Sequence, residues 1–275
     1  MRFRAPLIIF AATGALLMAV PRVAAKDAAE ACFDAKGTVK EVLDACAAFI
    51  AKGSNDKKLL IRAHSVRAMG FSAIGDLDNA LVEMTAAVEL DPTRANSYFM
   101  RAAGYDAKKE YDKALADLNE AIRLNGNDAD YYLLRGLVYS HMYNLDAALA
   151  DLTKKIELDP KAANGYSHRG ALYRKRKQYD LSIADYTEVI KIDDKNARGY
   201  IDRGWVYVLK DELDNADADF NKALQLHEND PSALVGRGVV KSRKSGNPTE
   251  GAADLALAQK LEPGIFDEIR ALGVK

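Results

Sequence analysis

The sequence predicts an all-α protein, a solenoid of stacked helix–turn–helix repeats with a capping helix at each end. A small residue follows each member of a series of arginines, and from the second to the fifth member tyrosines lie three residues before and four after it. Self-similarity at a fixed period of this length is typical of solenoid proteins. The arginines recur at an unvarying interval, at Arg67, Arg101, Arg135, Arg169, Arg203 and Arg237.

The first half of each repeat predicts a helix that packs by one face. Counted from the repeat start, the first aromatic position is 4, the arginine is 7, the small residue is 8 and the second aromatic position is 11. Spacings of three, four and seven place all of them on one helical face. The glycines at position 8 cost about 1 kcal/mol in a helix, which close packing can offset. The six repeats start at Ile61, Ala95, Ala129, Ala163, Ala197 and Pro231.

The second half of each repeat predicts a helix that packs against the first. An aspartate recurs at position 18 in the first five repeats, from Asp78 to Asp214, and we expect it to be the N-cap of this helix. In the sixth repeat one residue is inserted, and Thr249 is expected to be the cap. Small residues at position 20 face the small position 8, which predicts a close approach of the two helices. Proline ends the pattern in three repeats, as at Pro92 and Pro160.

These residues resemble the tetratricopeptide repeat (TPR), a helix–turn–helix of about 34 residues with an aromatic at 4, Gly or Ala at 8, Tyr at 11, Ala at 20 and Pro at 32. The similarity covers residues 61–264. It implies a right-handed superhelix whose first helices line a concave groove, with positions 2, 5, 9 and 12 facing it. Position 5 is never Lys and position 9 never Asn, so the resemblance does not imply the Lys/Asn clamp with which chaperone-binding TPRs hold acidic tails.

An acidic residue on the second helix keeps step with the arginine in every repeat. We interpret the two as a structural ion pair between the helices, with the tyrosine rings beside the guanidinium. The spacing leaves open whether the partner lies in the same or the adjacent repeat. The predicted pairs are Arg67 with Glu83, Arg101 with Asp117, Arg135 with Asp151, Arg169 with Asp185, Arg203 with Asp219 and Arg237 with Asp254.

Residues 1–25 predict a cleaved secretory signal peptide. Two arginines precede an apolar run from Leu7 to Val20, and the residues Val23 and Ala25 suit a cut before Lys26. A membrane helix needs about 20 apolar residues, so no stable anchor is expected after cleavage. Cleavage removes three arginines and changes the net charge from −1 to −4. The prediction is a periplasmic or secreted protein.

Residues 26–60 predict a helical cap, and residues 265–275 predict a closing helix. Cys32 and Cys46 lie in the first of these segments. In an exported protein an even pair of cysteines favours a disulfide, which would close a loop of about 15 residues and contribute up to about 3 kcal/mol. The alternative is two buried free thiols packed as small hydrophobic residues.

The predicted partner site is the concave groove. Trp205 is the sole tryptophan, and a rigid aromatic in a groove is typical of a binding hot spot, although it could equally pack beneath the next repeat. The groove residues expected to contact a partner are Trp205, Phe99, Ile201, Leu133, Leu137, Arg174, Arg198, Arg62, Asn96 and Asn164.

The sequence favours a non-catalytic scaffold or adaptor that binds a protein or peptide segment. No catalytic motif, metal-ligand set or cofactor motif stands out, and four histidines are scattered along the chain. A net charge of −1 indicates neither a nucleic-acid partner nor binding to an anionic membrane. Two alternatives stay open. One is an enzyme or small-molecule-binding protein that uses Cys32, Cys46 or a histidine, and the other is a subunit that assembles with copies of itself.

Overall fold

The computed structural model describes residues 25–34 and 37–273, so the predicted signal peptide lies outside the described residues except for Ala25. The described chain is helical throughout, which confirms the predicted fold class. Its helices are α1 (Ala25–Asp34), α2 (Val39–Lys52), α3 (Lys57–Ala73), α4 (Leu77–Leu90), α5 (Ala95–Ala107), α6 (Tyr111–Leu124), α7 (Ala129–His141), α8 (Leu145–Leu158), α9 (Ala163–Lys175), α10 (Tyr179–Ile192), α11 (Ala197–Lys210), α12 (Leu213–Leu226), α13 (Pro231–Ser245), α14 (Ala252–Leu261) and α15 (Ile265–Ala271), with a 3₁₀ turn at Pro248–Gly251 before α14.

From α3 onward the helices form six antiparallel pairs, which stack into a right-handed superhelix. Each odd-numbered helix packs against its even-numbered partner and against the preceding even-numbered helix. The odd-numbered helices also contact one another, at α3–α5, α5–α7 and α11–α13, so they form the inner, concave layer. The small residues at position 8, such as Ala102 and Gly136, are fully or almost fully buried at the contact within each pair.

Two further helices precede the six pairs. The sequence predicts a helical cap over residues 26–60, and the structure has there a hairpin of α1 and α2 that packs on α3. A disulfide joins Cys32 of α1 to Cys46 of α2, and both residues are fully buried. The rings of Phe33 and Phe49 meet edge to face with their centroids 5.5 Å apart, which adds to the small core of this hairpin.

The opposite end of the stack is closed by α15. Ile265 and Ile269 are buried against the apolar core of the last two repeats, and α15 contacts both α13 and α14. Among the described residues, no helix is both long and apolar enough to cross a bilayer.

The expected N-cap of the second helices is wrong by two residues. The aspartate at position 18 is the second residue inside the helix, and the caps are Asp76, Glu110, Asn144, Gln178 and Glu212. In the sixth repeat Asn247, rather than Thr249, caps the 3₁₀ turn. The reason is the turn between the helices, where one residue with positive φ reverses the chain and the cap follows at once.

The position-18 aspartate does not cap its helix. In four repeats it forms an ion pair with a lysine or arginine of the next repeat, at the edge of the solenoid where the turns lie. Asp180 binds Lys210 of the next repeat at 2.7 Å, and Asp214 binds Lys244 at 2.7 Å. Asp78–Lys108 and Asp146–Arg176 are equivalent pairs. These carboxylates are largely exposed, so each pair contributes at most about 1 kcal/mol. The junction of the second and third repeats lacks this pair. Met142 stands there in the position that is Lys or Arg at the other four junctions, so Asp112 faces no cation at this position.

The turn residue with positive φ has a side chain in four repeats. Gly75 and Gly246 take this conformation freely, with φ of 79° and 66°, whereas Tyr143 takes it with φ of 59° and a ring that is 82% exposed. For a residue with a Cβ atom the left-handed conformation costs about 1–2 kcal/mol.

We therefore expect Tyr143→Gly to stabilise the protein by about 1 kcal/mol, because it relieves the strained backbone and removes few contacts. Urea unfolding of the purified chain, followed by circular dichroism, would measure the change. Tyr143→Ala is the matched control, since it removes the ring and retains the Cβ atom. An equal gain for both variants would contradict the explanation by backbone strain.

Candidate concave groove and the ion pairs behind it

The recurring arginine and acid meet within one repeat. Arg135 on α7 donates from Nε and Nη2 to the two carboxylate oxygens of Asp151 on α8, at 2.7 and 2.8 Å. The pair is mostly buried, with side chains 20% and 8% exposed. The same two-pronged bond, at 2.7–2.9 Å, joins Arg101 to Asp117, Arg169 to Asp185, Arg203 to Asp219 and Arg237 to Asp254. In the first repeat Glu83 accepts from both Arg67 and His64.

The preceding repeat supplies the third bond of the guanidinium. Arg135 Nη1 donates to the side-chain oxygen of Asn119 at 2.7 Å, and Arg169 Nη1 donates to that of Thr153 at 3.1 Å. The corresponding acceptors are Thr187 for Arg203 and Asn221 for Arg237. Each of these four arginines therefore binds its own helix pair together and ties that pair to the one before it.

The tyrosines at position 4 complete the arrangement. The guanidinium of Arg135 lies 5.6 Å from the ring centre of Tyr132, a cation–π distance. The hydroxyl of Tyr132 donates to the carbonyl of Gly126 at 3.1 Å, which holds the loop between the second and third repeats. Tyr98, Tyr166 and Tyr200 make the same bond to the loop carbonyl six residues before them.

Hydrogen bonds and burial together set the pKa values of these arginines and aspartates. The hydrogen bonds that the arginines donate to the aspartates raise the pKa of the arginines, so the guanidinium groups stay charged. Burial raises the pKa of Asp185 and Asp219, because loss of water outweighs the bonds from the guanidinium. Burial also opposes ionisation at Asp254, but bonds from Arg237 and Lys241 outweigh it and the pKa of Asp254 lies below its usual value.

Arg135→Ala should destabilise the protein by about 3 kcal/mol, because it leaves the buried Asp151 without its cation. The midpoint of thermal unfolding, measured by circular dichroism, should fall by several degrees. Arg176→Ala is the control of the same residue type, since Arg176 pairs with the exposed Asp146 and should cost at most about 1 kcal/mol. If Arg135→Ala unfolded at the wild-type temperature, the assigned role of the pair would be wrong.

The concave groove is open over the first four repeats. We define it by positions 2, 5, 9 and 12 of α3, α5, α7, α9 and α11. Its floor holds Phe99, Leu133 and Leu137, all of them partly exposed. The ring of Phe99 packs on that of the buried Tyr131, with centroids 5.1 Å apart. The residues exposed in the groove include Arg62, Asn96, Asn164 and Arg198.

Two of the expected groove residues lie in the core instead. Trp205 is 0% exposed and Ile201 is 1% exposed, so neither offers a surface to a partner. Here α11 and α13 pack directly on one another. The Trp205 indole meets Phe220 edge to face at 5.1 Å, and its Nε1 donates to Ser232 of α13 at 3.1 Å.

A glycine on α13 explains why this packing is possible. A Cβ atom on Gly236 would lie 2.3 Å from the ring of Phe220, so a side chain there would displace the ring that supports Trp205. The sixth-repeat helix can thus approach α11, and the groove is closed over the last two repeats. Of the two interpretations that the sequence left open for Trp205, packing beneath the next repeat describes this structure.

Trp205→Ala should therefore destabilise the chain by about 3–5 kcal/mol, as expected for a fully buried aromatic. Urea unfolding followed by tyrosine fluorescence or circular dichroism would measure it. Trp205→Phe, which keeps the apolar ring and loses only the bond to Ser232, should cost clearly less. Unfolding of Trp205→Ala at the wild-type urea concentration would contradict the core assignment.

The open part of the groove ends at α9, which has a neighbouring first helix on each side. Between α7 and α9, a cleft of about 170 Å³ is lined by Leu137, Leu152, Ala171 and Leu172 together with Ser140, His168 and Lys175. Burial lowers the pKa of His168, so the imidazole is neutral at neutral pH.

Tyr186 of α10 is buried against α9, where its ring would lie 3.3 Å from a Cβ atom on Gly170. Burial raises the pKa of Tyr186, Asp202 raises it further, and Arg174 and Arg198 lower it. Arg198 Nε donates to both oxygens of Asp202 at 3.0 Å. Arg174 has no hydrogen-bond acceptor among the described residues, and its Nη1 is buried.

Sequence reasoning missed the third bond of each arginine, although a signal was present. Position 25 is Thr85, Asn119, Thr153, Thr187 and Asn221 in the first five repeats, always a short side chain with an oxygen acceptor. It also missed Tyr186, Asp202 and His168 as neighbours of the groove. His168 and Asp202 stand at position 6, where the other repeats have an apolar residue or Gly, and Tyr186 stands at position 24. Their polar groups occur once each in the series, so only the structure brings them together.

Models of the tetratricopeptide repeat match residues 129–161, 163–196 and 197–230, and a TPR repeat model matches residues 105–142. The chain is a tetratricopeptide repeat protein. Helix pairs with an inner layer of first helices, as described above, are typical of this family. None of the curated proteins compared with this TPR chain matches it.

Solved structures of TPR proteins share the fold. A tetratricopeptide repeat protein from Parabacteroides merdae is 22% identical, with a TM-score of 0.68, and the match covers 91% of this chain and 99% of that one. PilW, described as a widely conserved type IV pilus biogenesis factor, is 19% identical with a TM-score of 0.65, and the match covers 74% and 94% of the two chains. YrrB, described as a TPR protein with an unusual peptide-binding site, is 21% identical with a TM-score of 0.54, and the match covers 71% and 98%.

The TPR fold supports a role in protein interaction and is typically a non-catalytic scaffold. Cys32 and Cys46, on which the enzyme alternative partly depends, form a buried disulfide and present no thiol in this structure. Within residues 25–34 and 37–273, no group of three or more His, Cys, Asp or Glu side chains is placed to hold a metal ion.

Proposed function

We propose that this TPR protein is an exported scaffold or adaptor that binds a segment of a partner protein in its concave groove. The observation that carries the proposal is the open inner surface of the first four repeats. Phe99, Leu133 and Leu137 offer partly exposed apolar area there, and polar groups such as Asn96 and Asn164 surround them. An apolar centre with a polar rim is typical of protein interfaces.

Export is supported by two independent features of the chain. Residues 1–25 have the three-part plan of a signal peptide. The disulfide between Cys32 and Cys46 suits an oxidising compartment such as the bacterial periplasm. Among proteins of similar fold, YrrB is described as having a peptide-binding site and PilW as a pilus biogenesis factor, which agrees with a role in binding or assembly.

Binding in the groove can be tested with a pair of matched substitutions in the second repeat. Ala103 is exposed at position 9 of α5 and faces the groove, whereas Ala116 is exposed on α6, in the outer layer. Both changes to arginine add the same charge and bulk to a helix. We expect proteins captured from an extract of the producing cells by the wild type and by Ala116→Arg to be lost with Ala103→Arg.

Mass spectrometry of the captured proteins would identify them. Capture by all three forms alike would contradict binding in the groove, and capture of further copies of this chain alone would favour the self-assembling alternative. Export is tested separately by N-terminal sequencing of the purified protein. A chain that begins at Lys26 supports a cleaved signal peptide, and one that begins at Met1 contradicts it.

A further inference from the structure

We propose that the groove selects a partner segment with an aliphatic and an acidic side chain two residues apart. The aliphatic side chain enters the cleft beside Ala171, and the carboxylate binds Arg174. This inference rests on the proposed function and specifies the chemistry of its partner. The recognition differs from a Lys/Asn clamp, because the cation stands at position 12 and the neighbouring subsite is apolar.

Arg174 is the group that calls for a ligand. Each of the six structural arginines binds a carboxylate, and Arg176 and Arg198 also bind one. Arg174 makes no hydrogen bond or ion pair within the described part of the chain, and its Nη1 is shielded from solvent. A partly buried guanidinium without an acceptor has lost water and gained nothing in exchange, so an incoming carboxylate would offset that cost.

The charges around Arg174 favour an acidic ligand. Asp202 of α11 is one acid of this region, and Arg198 binds both of its oxygens. Asp185 of α10 is another, and both of its oxygens bind Arg169. On α9 itself Lys175 adds a second positive charge, and His168 is neutral because burial lowers its pKa. On α10 the neighbour is Tyr186, whose pKa burial raises, so its hydroxyl is protonated. The local charge is positive although the whole chain is close to neutral.

The cleft selects the second side chain. Its apolar lining is Leu137, Leu152, Ala171 and Leu172, and Ser140, His168 and Lys175 also line it. A volume of about 170 Å³ accommodates one aliphatic side chain. Ala171 leaves the space open, whereas the same position in the next repeat is the large Trp205, and there the groove is filled.

The two subsites lie close together on one helical face. Ala171 and Arg174 are three residues apart on α9, which places their Cβ atoms about 5–6 Å from each other. In an extended chain, side chains two residues apart point to the same side, with a separation of about 6.6 Å. An extended segment can therefore fill the cleft and reach Arg174 at once.

Selection of random dodecapeptides displayed on phage, with the wild-type full chain as the target, tests this inference. Enriched peptides are then synthesised with a fluorescent label, and their dissociation constants are measured by anisotropy. We expect an acid two residues from Leu, Ile or Val in the enriched sequences. Arg174→Gln should weaken binding at least about tenfold, as should Ala171→Leu, which fills the cleft.

Two matched controls accompany these variants. Arg176→Gln removes the same charge two residues away, where the side chain binds Asp146 on the turn edge, and should change affinity less than about twofold. Ala184→Leu adds the same bulk on the exposed surface of α10 and should have no effect. The amide form of the acidic peptide should bind the wild type weakly and lose nothing further with Arg174→Gln. The comparison of the acidic and amide peptides on the wild type does not depend on how well a variant folds.

The outcomes separate this inference from the proposed function. Enriched peptides without an acid, or peptides that bind Arg174→Gln as tightly as the wild type, overturn the inference. If Ala103→Arg still abolishes their binding, the groove remains a peptide site and the proposed function stands. If no peptide is enriched, or if neither Ala103→Arg nor Arg174→Gln weakens the binding of the enriched ones, both proposals fail.

Discussion

The bond between the arginine at position 7 and the acid at position 23 is the interaction on which the rest of the structure depends. It joins the two helices of a repeat through two parallel hydrogen bonds. The site is mostly buried, so little water is available to bond to either group in place of its partner. The remaining guanidinium nitrogen reaches the preceding repeat in four of the six copies. One side chain thus sets both the angle within a repeat and the contact between repeats, and the groove is a product of that stacking.

This dual role also explains the glycine that follows the arginine. The second helix must come close for the carboxylate to reach the guanidinium, and Gly136 and Gly170 sit at the nearest approach, against Leu152 and Tyr186. The helix propensity lost at the glycine is about 1 kcal/mol. The buried ion pair and the packing around it are worth more than this, provided that both partners of the pair are present.

Much of this architecture could be predicted from the sequence, because a fixed repeat period places the same side chains in the same surroundings six times. The arginine and acid of each pair were accessible in this way, since both recur at fixed positions. The N-caps were not, because the length of the turn depends on one residue with positive φ that is Gly75 in one repeat and Tyr143 in another. Trp205 could not be assigned either, since its burial depends on how closely α13 approaches, which Gly236 permits. Features that repeat are readable from spacing, and features that occur once depend on neighbours distant in sequence.

The junction between the second and third repeats lacks the acid–cation contact that the other repeats of the series have at the turn edge, because Met142 stands in register with Asp112. What joins these repeats instead is the contact of His141 with Asp106 at 2.9 Å, together with the bond of Arg135 to Asn119. A junction that has one ion pair fewer than its neighbours resists bending less than they do. We expect the groove to widen or narrow most easily between Phe99 and Leu133, because the ion pair at the turn edge is missing there.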